Sequence, residues 1–172
     1  MADTVTNDAL EILGQYENLP RLVVIDLDYT LWPFYCECNF HKESPYLYTE
    51  AKGVLRALKK KGINVAVASR SPTANVAKTF LRKLGILPMF VAMEIYSSWT
   101  HKTEHLQRIH WKTGVPFNSM LFFDDENRNV EAVSTMGVTS ILVDNGVNLD
   151  ALRQGLSAFS QKFDSSNRSK KD

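Results

Sequence analysis

Four consecutive apolar residues, Leu22-Val23-Val24-Ile25, run straight into Asp26-Leu27-Asp28, and this junction restricts the possible folds more than any other part of the chain. A run with no polar position to turn toward water reads as a strand covered on both faces, the situation of strands in a parallel sheet. Such a sheet needs crossover helices, and the spacing of apolar residues supplies them. Ala51, Val54, Leu55 and Leu58 recur at helical intervals, with Thr49 as the expected cap and Gly62 just past the end. Residues 63–68 read as the second strand, and Ser71-Pro72 as a helix opening whose Val76, Phe80 and Leu84 share one face before Gly85. Residues 89–95 form a third expected strand, followed from about Lys102 by a helix with Leu106 and Ile109 inward, ended by Gly114. Residues 120–123 and 140–143 are the fourth and fifth strands, separated by a short helix around Val130 and Val133 that stops at Gly137. Leu149, Leu152 and Leu156 mark a closing helix. Strands alternating with helices imply right-handed β-α-β units, so the expected class is α/β, a doubly wound, Rossmann-like parallel sheet.

The chain has 172 residues, 44% of them hydrophobic, enough for one domain with a substantial core. Residues 1–19 are expected to be an N-terminal helix or arm, 20–163 the domain proper, and 164–172 a polar, disordered tail. Lys and Arg number 20 against 19 acids, so nothing global points to a nucleic acid or an anionic membrane. No apolar run approaches the roughly 20 residues of a membrane span, and the acidic start does not resemble a signal peptide. The expectation is a cytoplasmic monomer. Cys36 and Cys38 stand one residue apart, too close for an ordinary disulfide between them.

Two neighbouring carboxylates at a strand exit resist ionising together, so a cation or a shared proton is expected between them. In a doubly wound sheet, ligands bind beyond the carboxyl ends of the strands. Asp26 and Asp28 leave the first strand, Ser69 and Arg70 the second, and Asp124 and Asp125 the fourth, while Lys102 begins the helix after the third. Singly, each has a bland explanation: a strand end, a surface lysine, a helix cap. Their shared topological position argues for one site. Several carboxylates with a lysine, a hydroxyl and no placed histidine suit a hard cation with oxygen ligands, and magnesium with a phosphate fits best.

The order Asp-x-Asp-x-Thr, Ser, Lys, Asp-Asp resembles the haloacid dehalogenase superfamily of phosphatases. Asp28-Tyr29-Thr30-Leu31-Trp32-Pro33-Phe34, Ala68-Ser69-Arg70, Lys112-Thr113-Gly114-Val115-Pro116-Phe117 and Phe122-Phe123-Asp124-Asp125-Glu126-Asn127-Arg128-Asn129 are similar to the eukaryotic magnesium-dependent phosphatase-1 family over residues 20–160. The resemblance implies Asp26 as nucleophile and Asp28 as proton carrier. It implies magnesium held by Asp26, the Asp28 carbonyl and Asp125, with Asp124 acting through a water. Ser69, Lys102 and the amides of Leu27 and Arg70 would bind the phosphate, with Tyr35 and the Arg70 side chain toward the substrate. The implied substrate is a phosphorylated protein or a small phosphate ester, phosphotyrosine or a sugar phosphate.

Residues 32–48 are too short for a cap domain and read as an aromatic flap, so an open site is expected. Trp32, Phe34, Tyr35, Phe40, Tyr46 and Tyr48 either line its mouth or close the core beneath it. Cys36, Cys38 and His41 are too few for a zinc site, and His101 and His105 read as solvated helix residues. Two rivals remain: a receiver-like phosphoaccepting module, whose order of motifs differs, and a catalytically silent scaffold on the same fold.

Overall fold

The structure, a computed structural model, describes residues 3–38 and 44–171. Eleven main elements follow one another: α1 (Asp3–Leu13), β1 (Leu22–Ile25), α2 (Ala51–Lys60), β2 (Asn64–Ser69), α3 (Ala74–Lys83), β3 (Phe90–Ile95), α4 (Thr103–Thr113), β4 (Met120–Asp124), α5 (Asn127–Ser134), β5 (Thr139–Leu142) and α6 (Leu149–Lys171). The five strands form one sheet in the order β3-β2-β1-β4-β5, and every pairing is parallel. β1 is central, Ile25 lying between Val67 and Phe123. The α/β doubly wound class expected from the sequence is therefore the one observed.

Because successive strand side chains point to opposite faces, the sheet divides the core in two. Val23, Ile25, Val65, Val67, Leu121 and Phe123 face a layer built from α2, α3 and α6, with α1 packed behind. Leu22, Val24, Ala66, Ala68, Met120 and Phe122 face Leu106 and Ile109 of α4 and Val133 of α5. A fully buried Leu or Phe at such positions contributes about 1.5–3 kcal/mol, which is why a four-residue strand suffices at the centre. Among the described residues no helix is long and apolar enough to cross a membrane.

Three local readings differ. α2 is capped without Thr49: the first amide of the helix, Ala51 N–H, donates to Tyr48 O (3.1 Å), while the Glu50 carboxylate accepts Leu149 N–H at the start of α6. α3 begins at Ala74 rather than at Pro72, because hydroxyl turns form first, with Ser71 N–H on Ser69 Oγ (3.2 Å) and Thr73 N–H on Ser71 Oγ (3.4 Å). The stretch expected to be a disordered tail continues α6 as far as Lys171; extending an existing helix costs far less than nucleating one.

Candidate active site

The site begins one residue beyond β1. Asp26 N–H still donates to Phe123 O (3.1 Å), so the sheet itself holds the residue and its carboxylate is buried at the carboxyl edge. The chain then folds sharply: Leu27 O accepts both Thr30 N–H (3.0 Å) and Leu31 N–H (2.8 Å), and Tyr29 takes a left-handed conformation with φ 56°. This turn returns Thr30 Oγ1 to Asp26 Oδ2 at 3.1 Å. It also places Asp28 against the wall of an open pocket of about 210 Å³ shared with Asp26, Ser69, Arg70, Lys102 and Asp125.

Lys102 is the cap of α4 and only 1% exposed. Its Nζ lies 2.6 Å from Asp26 Oδ1 and 2.5 Å from Asp124 Oδ2. The backbone pays for that reach, with His101 at φ 49° and Lys102 at φ 77°, conformations that side-chain-bearing residues adopt only when their surroundings impose them. His105, one turn later, helps impose them. It is buried, stacked on Tyr96 at 4.1 Å, and its Nε2–H donates to Ser69 O (2.9 Å) and Tyr96 O (2.8 Å). The first turn of α4 is thus tied to the ends of β2 and β3. The expectation of a solvated His105 is corrected: the ring fills the seam between helix and sheet, and burial holds its pKa below the usual value.

Asp124 accepts Glu126 N–H on Oδ1 (2.8 Å) and Asn129 Nδ2–H on Oδ2 (3.3 Å) besides its ion pair. Among the described residues one group of three potential metal ligands exists, Asp26, Asp124 and Asp125, with oxygens within 4.8 Å of one another. Three carboxylates face one ammonium. Burial accordingly lifts the Asp26 carboxyl to about 7, against the pull of Lys102, and Asp124 to about 6; Asp125 is also raised by burial. Burial alone would lower Lys102, but the two carboxylates outweigh it and its pKa stands above the usual value. An all-oxygen donor set with surplus negative charge fits a hard divalent cation.

The remaining sequence candidates divide. Ser69 is buried at the pocket floor, and Leu27 lies between the two aspartates at the turn. Arg70 lines the pocket, but its Nε–H and Nη2–H donate to Ser98 O (3.1 and 2.7 Å), so part of the guanidinium braces the loop before α4. Tyr35 is 48% exposed at the pocket edge and meets Tyr29 edge-on at 4.9 Å. Trp32 and Phe34 are core residues stacked on each other, and Tyr46 packs against Phe34; Phe40 and His41 lie outside the described residues. Cys36 is buried and Cys38 exposed. Asn129, Glu126 and Ser71 were not assigned to the site from sequence, and His105 was read only as a solvated helix residue. The first two stand in the quoted Asp124-to-Asn129 motif, whereas nothing local to His105 showed its two buried carbonyl partners.

Fold and site together define a haloacid dehalogenase-type hydrolase. Residues 18–162 match the acid phosphatase family, and the chain belongs to that family. It is 42% identical over 158 residues to magnesium-dependent phosphatase 1 of Homo sapiens, spanning 83% of this chain and 89% of that protein. It is 30% identical over 146 residues to a HAD-like hydrolase superfamily protein of Schizosaccharomyces pombe, spanning 70% and 83% respectively. Among solved structures, the N-terminal, phosphatase-domain part of a Bacteroides fragilis protein complexed with Mg superposes with a TM-score of 0.66, at 22% identity over 90% of this chain and 44% of that one. A HAD-superfamily hydrolase from Ehrlichia chaffeensis gives 0.66 at 12% identity over 84% and 99%. At such identities these two speak for the fold alone.

Proposed function

We propose that this chain is a magnesium-dependent phosphomonoester hydrolase that works through an aspartyl-phosphate on Asp26. The observation that carries the reading is the Asp26 carboxylate itself, fixed at the exit of the central strand, paired with Lys102 at 2.6 Å and grouped with Asp124 and Asp125. Asp26, the Asp28 carbonyl and Asp125 would hold magnesium, with Asp124 acting through a water. When bound, the ion offsets the repulsion between an anionic nucleophile and a phosphate.

An Asp26 oxygen attacks phosphorus and the ester P–O bond breaks, its electron pair leaving on the ester oxygen, which takes a proton from Asp28. Water then gives a proton back to Asp28 and attacks the same phosphorus; the P–O bond to Asp26 breaks, restoring the carboxylate and releasing phosphate. Ser69 and the amides of Leu27 and Arg70 bind non-bridging oxygens, and Lys102 balances charge on Asp26 and the phosphate. The open pocket with Tyr35 half exposed at its edge supports a leaving group with a stackable face: phosphotyrosine or a protein-bound or small sugar phosphate. A receiver-like module or a silent scaffold would lack turnover altogether.

Purified protein is assayed on p-nitrophenyl phosphate with and without magnesium, then on phosphotyrosine peptides, sugar phosphates and glycated phosphoproteins. Magnesium-dependent turnover abolished by Asp26→Asn is expected; retained activity in that variant would refute the mechanism. We extend the reading to a monomer working in the cytoplasm, tested by light scattering and by imaging the tagged chain.

A further inference from the structure

The Asp28 carboxylate is held by groups that themselves never reach the pocket. Its Oδ1 accepts the indole Nε1–H of Trp32 at 2.7 Å and the backbone N–H of Cys36 at 2.9 Å. A carboxylate oxygen offers two lone-pair sites, and on Oδ1 both are occupied. Trp32 is 0% exposed, its indole N–H is a donor only, and Asp28 is its acceptor. Rotating the carboxylate away would orphan a buried donor.

The indole cannot follow such a rotation. Phe34 stacks on it at 5.8 Å with the planes 6° apart, and Phe80 of α3 meets it edge-on at 5.8 Å. The turn at Tyr29, whose N–H donates to Trp32 O at 2.7 Å, fixes the spacing between the acid and the ring.

We propose that Trp32 is a positioning residue for Asp28, its indole N–H locking Oδ1 together with the Cys36 amide so that Oδ2 alone carries the catalytic proton. The inference rests on the reading of Asp28 as the proton carrier. It assigns a role in proton delivery to a core tryptophan, with its orientation set by the aromatic packing of α3 beneath the site.

The test is Trp32→Phe, which keeps an aromatic ring and deletes the donor. An alkyl phosphate needs its leaving oxygen protonated more than p-nitrophenyl phosphate does, so kcat on the former falls about tenfold to hundredfold further, with KM little changed. Phe80→Leu keeps the donor but loosens the packing that orients it, so the ratio between the two substrates moves in the same direction as in Trp32→Phe, by less. In an Asp28→Asn background the leaving-group effect of Trp32→Phe disappears. Should Trp32→Phe fail to fold, the native chain decides. Of its indole N–H resonances, the slowly exchanging one belongs to Trp32, since Trp99 and Trp111 are exposed; it shifts in Asp28→Asn and not in Asp26→Asn. A resonance indifferent to Asp28, or a Trp32→Phe that slows both substrates equally, overturns the proposal. If instead Asp28→Asn leaves turnover intact, it is the reading of Asp28 that fails.

Discussion

Lys102 and Asp26 are 76 residues apart in the chain, yet their charged atoms lie 2.6 Å apart, both side chains buried. The lysine simultaneously reaches Asp124, so one ammonium joins the exits of the two adjacent strands β1 and β4. Removing it leaves buried carboxylates without their cation, typically a loss of about 3–5 kcal/mol. Lys102→Met is therefore expected to lower the melting temperature of the metal-free protein and to abolish turnover. Thermal melts and phosphatase assays check both, and a Lys102→Met variant with native turnover would contradict the pairing's role.

The raised carboxyls set a pH dependence. Asp26 titrates near 7 and Asp124 near 6 in the fold, against an ordinary 3.8. Between those values the folded chain keeps protons that the unfolded chain has released, so stability contributed by these groups is present below 3.8 and lost as pH rises through about 7. Magnesium held among these carboxylates would take the place of those protons. The rise in melting temperature on adding magnesium should therefore grow from about pH 5 to about pH 8; a rise independent of pH counts against the acidic cluster as the metal site.

His105 ties α4 to two strands through one N–H. His105→Phe keeps the ring stacked on Tyr96 but loses both carbonyl contacts, costing about 1–3 kcal/mol. Since the same turn carries Lys102, kcat should fall more than KM rises. Calorimetry with steady-state kinetics on the variant measures both changes.

Ser69 lines the pocket beside Asp26, and its buried hydroxyl accepts Ser71 N–H. In Ser69→Ala the inhibition constant for inorganic phosphate is expected to rise about tenfold, as for one lost charge-assisted hydrogen bond. Competition assays read this directly.

Gly146 has φ 71°, and a Cβ there would fall on the Tyr48 ring. This contact pins the end of the aromatic flap to the loop after β5, beside Val147 N–H donating to Thr30 O at 2.8 Å. Gly146→Ala is expected to destabilise by about 1–3 kcal/mol through strain and overlap, seen as a lower denaturation midpoint.

Strand and helix order was legible because a parallel sheet imprints uninterrupted apolar runs and helical spacing on the chain, as in Leu22 to Ile25 and Val54 to Leu58. Helix starts were less so: the amide of Ala51 finds a carbonyl and Ser71 folds into a hydroxyl turn, choices made by neighbours rather than by propensity. The acidic and basic residues of the site could be collected from sequence because each follows a strand, and strand ends meet at one edge. His105 could not, since its partners are two backbone carbonyls whose positions exist only after β2 and β3 pair. Nor could Trp32 be sorted between mouth and core without the rings of Phe34 and Phe80 around it. By itself, then, the sequence determined the alternation of elements and the edge of the sheet where charge would gather, both consequences of local hydrophobic pattern. The tertiary structure alone decided which carboxylate oxygen meets Lys102 and which is locked by an indole, because those contacts join residues whose separation is set by packing.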